Sequence, residues 1–257
     1  MSSSGYPLSW VRPSNGAWTR RPTSQVGCDR RAVAGDRGAP GVGRGRRGEA
    51  GIGRSEVEIR LYRPGDEPAW LRCWGQVAVT SHAWGLPPYQ SKPRYTTEAV
   101  ELVAVDFEND VIVGFLDVEI ETEPGRLGLL THEPCGFVWE FGLLQPYRGR
   151  GHGRGLVRAA ETRLREAGIR RMEFWSMDPD AQKFYSRMGM REINRHWRFW
   201  ARLGSRVEIP GLPPTVRLEI AQWTASEEDW PAARAALDVV DDPPLEPHIC
   251  LGFEHRF

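Results

Sequence analysis

The sequence predicts an α+β domain, and three observations carry the prediction. Two strand-like runs, "AVELVAVDF" (99–107) and "VIVGFLDVEIE" (111–121), flank the turn "END" and form an antiparallel hairpin. A third run, "FVWEFGLL" (137–144), leads through a glycine-rich segment into a helix, after which strands and helices alternate to about residue 201. A hairpin ahead of the glycine loop disfavours a doubly wound parallel fold, which needs a βαβ unit there.

Order begins near Glu56, where "VEIRLY" alternates Val57, Ile59 and Leu61 as a strand. Pro64, Gly65 and Asp66 turn the chain, Asp66 is placed to cap a helix, and Trp70, Cys73, Trp74 and Val77 follow at helical spacing. Residues 81–95, "SHAWGLPPYQSKPRY", form a loop with three prolines, and "TEPGRLGLLTHEPCG" (122–136) forms another. Leu156, Ala160, Leu164 and Ala167 make the buried stripe of the helix after the glycine segment, with Val157 beside it. Glu161 and Arg165 pair on its outer face, and Gly168 ends it. "IRRMEFWS" (169–176) is a strand. "DPDAQKFYSRMG" is a helix with Asp178 as cap, Pro179 in the first turn, Gly189 as stop, and one face lined by Ala181, Phe184, Tyr185 and Met188. "INRHWRFWA" (193–201) is a strand with Trp197 and Phe199 on one face and Trp200 on the other. Residues 202–247 are proline-rich, with one strand pattern (215–223) and one helix pattern capped by Ser226. "HICLGFEHRF" (248–257) reads as a strand.

The 257 residues are 40% hydrophobic and 26% charged, proportions of a globular chain with a sizeable core. No apolar run is long enough to span a bilayer, and no secretory pattern stands at the start. Cys28, Cys73, Cys135 and Cys250 are far apart, which argues against a zinc cage or disulfide framework and suits a reducing cytoplasm. Metal ligands are therefore not expected. Net charge is zero, but residues 1–54 carry ten arginines against Asp29, Asp36 and Glu49, a balance of +7 that leaves −7 on the remainder. The acidic body does not suggest nucleic acid as the main ligand. Residues 1–54 hold eleven of the 28 glycines and no apolar periodicity, so they are expected to be disordered. They read as a solvated extension, as a stretch upstream of the true start, or as an Arg/Gly tail for RNA. "GVGRGRRG" lacks the interleaved aromatics that would favour the last.

Glycine and arginine alternate from Arg148 to Gly155, directly before a helix. A helix start carries unpaired N–H groups and the positive end of the dipole. Glycines let a bulky anion approach the backbone, and arginines add charge, a combination suited to pyrophosphate. The Walker pattern is absent.

The segment resembles the cofactor loop of the GNAT superfamily of N-acyltransferases, which reads Gln or Arg, two residues, Gly, one residue, then Gly or Ala. Here it is Arg148-Gly149-Arg150-Gly151-His152-Gly153, preceded by Leu144-Gln145-Pro146 and followed by Asp178-Pro179-Asp180-Ala181 with Tyr185 and Gly189. Asp178 stands where the family often has Asn, which keeps the capping chemistry, and His152 stands where it is often aliphatic. The resemblance covers about residues 56–201. It implies an αβα sandwich around a mixed, mostly antiparallel twisted sheet and an acetyl-CoA cosubstrate. Amides from Arg148, Gly149, Arg150, Gly151, His152, Gly153 and Arg154 would hold the pyrophosphate, and the strand around Leu143 and Leu144 would bond the pantetheine arm and supply an oxyanion donor. It also implies three parts: residues 1–54 as an extension, 56–204 as the transferase domain, and 205–257 as a C-terminal extension whose last strand could complete the sheet. Residues 202–247 exceed the family's usual connection and could cover the acceptor site, form a homodimer contact, or be an appended segment.

Acyl transfer to an amine needs a base to free the amine's lone pair and an acid for the departing thiolate. Glu140 is the expected base. It shares a strand face with Gly142 and Leu144, with Trp139 and Phe141 expected to desolvate it; a structural ion pair is its other reading. Asp117, Glu119 and His132 are weaker candidates. Tyr185 matches the family tyrosine that faces the coenzyme sulfur, or else is a core residue. The acceptor amine, small molecule or peptide, is expected near 81–95, where His82, Trp84, Tyr89 and Tyr95 cluster. Rival readings are a non-catalytic acyl-CoA-binding module and an RNA-associated protein acting through its tail.

Overall fold

The computed structural model describes residues 56–81, 89–202, 220–241 and 245–257. The expectations for residues 1–54, His82 and Trp84 lie outside them. Strand β1 (Val57–Leu61) leads through a 3₁₀ turn into helix α1 (Glu67–Val79). Asp66 precedes α1, but its carboxylate does not cap it. It turns back to accept the Arg63 amide and both terminal nitrogens of Arg60, because a bidentate guanidinium outcompetes a single amide.

The expected hairpin is present. Strands β2 (Ala99–Asp106) and β3 (Val111–Ile120) pair antiparallel, and β3 then pairs antiparallel with β4 (Gly136–Leu143). Helix α2 (His152–Glu166) buries Leu156, Val157, Ala160 and Leu164. Ala167 is exposed because the helix has ended, and Gly168 follows at φ 80°. Strand β5 (Arg171–Ser176) runs to helix α3 (Pro179–Arg187), whose cap Asp178 accepts the Asp180 amide at 2.8 Å, worth about 1 kcal/mol. Strand β6 (Arg191–Arg202), β7 (Ile220–Ala225), helix α4 (Trp230–Ala236), the short β8 (Asp238–Val239) and β9 (His248–Arg256) complete the described chain. The turn before α4 is closed by Ser226, whose hydroxyl accepts the Asp229 amide.

The sheet order is β1-β2-β3-β4-β5-β9-β6-β7, with β8 on β6. Every neighbouring pair is antiparallel except β4 with β5. The last strand runs between β5 and β6. Helix α1 covers one face, stacking Trp70, Cys73 and Trp74 on Val103, Val105, Ile112 and Phe115. Helices α2 and α3 cover the other, against Leu102, Val113, Leu116, Val118, Phe174 and Phe253. Trp197 and Phe199 point to that second face, where both rings meet Trp230.

Between β4 and β5 the sheet opens. The two strands pair only at Gly136 with Met172 and Phe137 with Glu173. Beyond that point β4 continues to Leu143 and β5 to Ser176 without joining, while the far edge of β5 is taken by β9.

Candidate active site

Backbone alternation decides what lines the opening. The Leu144 amide donates to Val113 O at 2.9 Å, so the amides two and four residues earlier, Gly142 and Glu140, also face β3. Those of Phe141 and Leu143 face the opening. Of the two amides expected to serve an oxyanion, Leu144's is thus spent on the ladder and Leu143's is not. The Leu143 carbonyl accepts the Arg148 Nε at 2.9 Å, tying the glycine segment to the strand end.

The segment itself needs its glycines. Gly149 and Gly151 have φ of 73° and 91°, a region costly for other residues, and a side chain on either would point into open space. Gly151 precedes the first helical residue of α2, and Gly155 N–H is the first amide to bond back, to Gly151 O. The amides of His152, Gly153 and Arg154 therefore converge beside the opening, with Arg150 and Arg154 exposed around them. An unpaired strand edge ending at a bare, cationic helix start fits an extended acyl carrier with a pyrophosphate.

Glu140 stands on the α1 face because of a β-bulge. Asp117 pairs with Glu140 but Val118 pairs with Val138, so Trp139 is an extra residue. Without it Glu140 would share the face of Val138, which packs toward α2. Its surroundings differ from expectation. Phe141 points to the opposite face, against Phe174, Phe184 and Tyr185, and Trp139 donates to Glu119. The groups that enclose Glu140 are Trp74, whose Nε1 donates to it at 2.8 Å, and Tyr89, whose hydroxyl donates at 2.6 Å. Burial pushes its pKa up to about 7, against the lowering effect of these two donors. A carboxylate poised near neutrality can take a proton from an ammonium.

Asp117, directly across from Glu140, is fully buried and salt-bridged to Lys92 Nζ at 2.7 Å, with the Tyr95 hydroxyl at 2.9 Å. Burial raises its pKa to about 6 despite Lys92. Lys92, buried over the rings of Tyr62 and Trp70, also contacts Glu101. Nothing in "SKPRY" marks this lysine as a buried cation, so sequence reasoning missed it. Glu119 is a structural group. Burial opposes its charge, but donors from Thr96, Thr97 and Trp139 outweigh that and hold its pKa below the usual range. His132 lies in the loop ahead of β4, among Glu133, Glu254 and Arg256, at the end away from Leu143. With Glu133 and Glu254 it forms the metal-like cluster found among the described residues, but Arg256 and Arg191 already neutralise those carboxylates.

Tyr185 is buried among Phe141, Phe174, Phe184 and Phe253. Burial raises its pKa, and its hydroxyl makes no hydrogen bond to a described residue. Of the loop aromatics, Tyr89 and Tyr95 are placed on Glu140 and Asp117.

The sheet parts between two parallel strands, with a glycine-bearing helix start at the mouth of the opening. Residues 67–190 match the model of the acetyltransferase (GNAT) family. The uncharacterized N-acetyltransferase YycN of Bacillus subtilis (strain 168) is 30% identical over 85 residues, 32% of this chain and 50% of YycN. The chain thus spans about half the length of that curated relative. Among solved structures, a GCN5-related N-acetyltransferase from Kribbella flavida aligns over 78% of this chain and 98% of its own, with 17% identity and a TM-score of 0.44. An N-acetyltransferase from Thermoplasma acidophilum, solved in complex with coenzyme A, aligns over 54% and 91%, with 15% identity and a TM-score of 0.42. No described helix is long and apolar enough to cross a membrane.

Proposed function

We propose that this protein moves an acetyl group from acetyl-CoA directly to a primary amine. The observation that carries the reading is the free edge of β4, which runs from Glu140 on one face to the amides of the glycine-rich helix start. Acetyl-CoA supplies an activated thioester. The chain would supply four things: Leu143 with Phe141 to bond the carrier arm, the segment from Arg148 to Arg154 for the pyrophosphate, Glu140 to take the ammonium proton, and the Leu143 amide for the oxyanion. Tyr185 would protonate the departing thiolate. As the N–C bond forms, the C–S bond breaks: the ammonium's first proton rests on Glu140, the Tyr185 proton goes to sulfur, and the amine's second proton restores the phenol.

The catalytic unit in this proposal runs from residue 56 through β9, with 1–54 dispensable. A cytoplasmic setting is supported by Cys73, Cys135 and Cys250, which are buried and unbridged. The test is thiol release from acetyl-CoA across a panel of amines, with wild type and Glu140→Gln. Coenzyme binding without thiol release for any amine would reduce the protein to a binding module.

A further inference from the structure

The face that presents Glu140 continues beyond the opening onto β5, β9 and β6. Phe137 is level with Glu173, and the bulge absorbs one residue, so Glu140 is level with Trp175 on the same face. Trp175 pairs with Gly252, Cys250 with His196, and His248 with Arg198, which extends this face across three strands. Gly252 lets the patch form: a Cβ there would lie 2.9 Å from the indole, which crosses it to meet the His196 ring at 5.7 Å between centroids. Helix α1 covers β3 and β4 on this face, and α2 and α3 pack on the other.

The patch holds buried donors that no acceptor meets. Among the described residues six buried side-chain atoms have no hydrogen-bond partner, and three of them lie here, all nitrogens: Trp175 Nε1, Arg198 Nε and His248 Nε2. Arg198 is half-buried and forms no ion pair with a described residue, whereas Arg60, Arg171, Arg191 and Arg234 all do. The Arg198 Nε is buried without an acceptor, so an anion that accepted from it would meet an unspent donor. The Glu246 carboxylate stands 3.9 Å from the His248 Nε2, beyond hydrogen-bond reach. Burial and the Arg198 charge pull the His196 pKa down to about 4, so this imidazole is neutral at pH 7 and Arg198 brings the fixed charge.

We propose that Arg198, with Trp175 and His248 beside it, seats the carboxylate of the acceptor whose amine reaches Glu140; this rests on the acetyltransferase reading. One guanidinium matches a monoanion better than a phosphate monoester, which carries close to two charges. Two strand steps of about 4.8 Å and the opening separate Arg198 from β4, and its position four residues past Asn194 adds about 13 Å of height, so the two backbone positions stand on the order of 20 Å apart, a span that the Arg198 and Glu140 side chains shorten for the carboxylate and amine between them. A short peptide spans that at about 3.5 Å per residue, so the acceptor class is a peptide or a comparably long amino acid with a free carboxylate.

The experiment measures calorimetric binding of tetraglycine and tetraglycinamide to the full chain, with acetyl transfer to each followed alongside. Wild type should bind the acid about 10- to 100-fold more tightly than the amide, the range of a charge-assisted pair. Arg198→Gln should erase that preference, and Arg198→Lys should keep part of it. Should Arg198→Gln fail to fold, salt decides: the wild-type preference must shrink toward unity in 1 M NaCl. Equal wild-type affinities, a preference that survives in Arg198→Gln, or one indifferent to salt would overturn the proposal. Inorganic phosphate displacing tetraglycine at concentrations where acetate does not would overturn the choice of carboxylate. Absent transfer to every amine, with the acid–amide difference intact, would remove the acetyltransferase reading and leave the anion seat standing.

Discussion

Glu140→Gln should raise stability at alkaline pH while lowering the rate. The glutamate's pKa rises from 4.5 in the ordinary state to about 7 in the fold, with burial as the main cause. A carboxyl with a raised folded pKa contributes stability that is fully present below about 4.5 and lost as pH rises through about 7. Each tenfold in proton affinity is worth about 1.4 kcal/mol, so above pH 7 the buried carboxylate costs up to about 3 kcal/mol, and its partial exposure trims this to about 2. Glutamine imitates the protonated acid: its oxygen can accept from Trp74 and its amide can donate to the Tyr89 oxygen. The variant should therefore match wild type at pH 4.5 and exceed it by about 1–2 kcal/mol at pH 8, with Asp117 relaxing alongside because its charge faces the same site. Urea melts at both pH values provide the measurement, and a pH–rate profile accompanies them. Wild-type turnover should rise through about pH 7, and the variant should fall by about 10²-fold or more. A stability difference that does not change between pH 4.5 and 8 would refute the burial argument, and an unchanged rate would remove Glu140 as the base.

Gly151→Glu should abolish the thermal stabilisation given by acetyl-CoA, because it puts a carboxylate and a side chain at φ 91° where the pyrophosphate would sit; an undiminished ligand-induced melting shift would count against the loop. Tyr185→Phe keeps the aromatic packing and removes only the hydroxyl, so turnover should drop by about 10²-fold with coenzyme affinity nearly unchanged. Equal turnover at every pH would leave Tyr185 a core residue. Deleting residues 1–54 should alter neither melting nor coenzyme binding, and a collapsed fold would contradict the absence of a core pattern there.

Local signals were legible in the sequence. The period of Leu156, Ala160 and Leu164, the Asp178 cap, and the "END" turn each leave a mark within a few residues. The bulge at Trp139 leaves none, since an extra residue in one strand is visible only against its partner. It turned Glu140 toward the α1 face, where Trp74 and Tyr89, from distant parts of the chain, enclose it. Lys92 was hidden for the same reason: its burial depends on Asp117 and Glu101, which only strand pairing brings beneath it. Asp66 shows the opposite failure. The capping signal was real, but Arg60, six residues back, competes for the same carboxylate.

The position of β9 sets an order of events during synthesis. Strand β5 has one edge beside the opening and waits for residues 248–256 to fill the other, about seventy residues after its own. At ribosomal speeds of about 5–20 residues per second, that is several seconds with an exposed β edge flanked by Met172 and Phe174. The same strand carries Arg171 and Glu173, paired at 2.6 Å and wholly enclosed in the finished fold. The loop 129–133, made before β5, already supplies the amides and carbonyls that hold this pair, and in the nascent chain a stranger's strand docking on the open edge would have to pack against these inward charges. A pair that looks like an extravagance in the finished core would thus act earlier, as a guard on the edge that β9 is last to close.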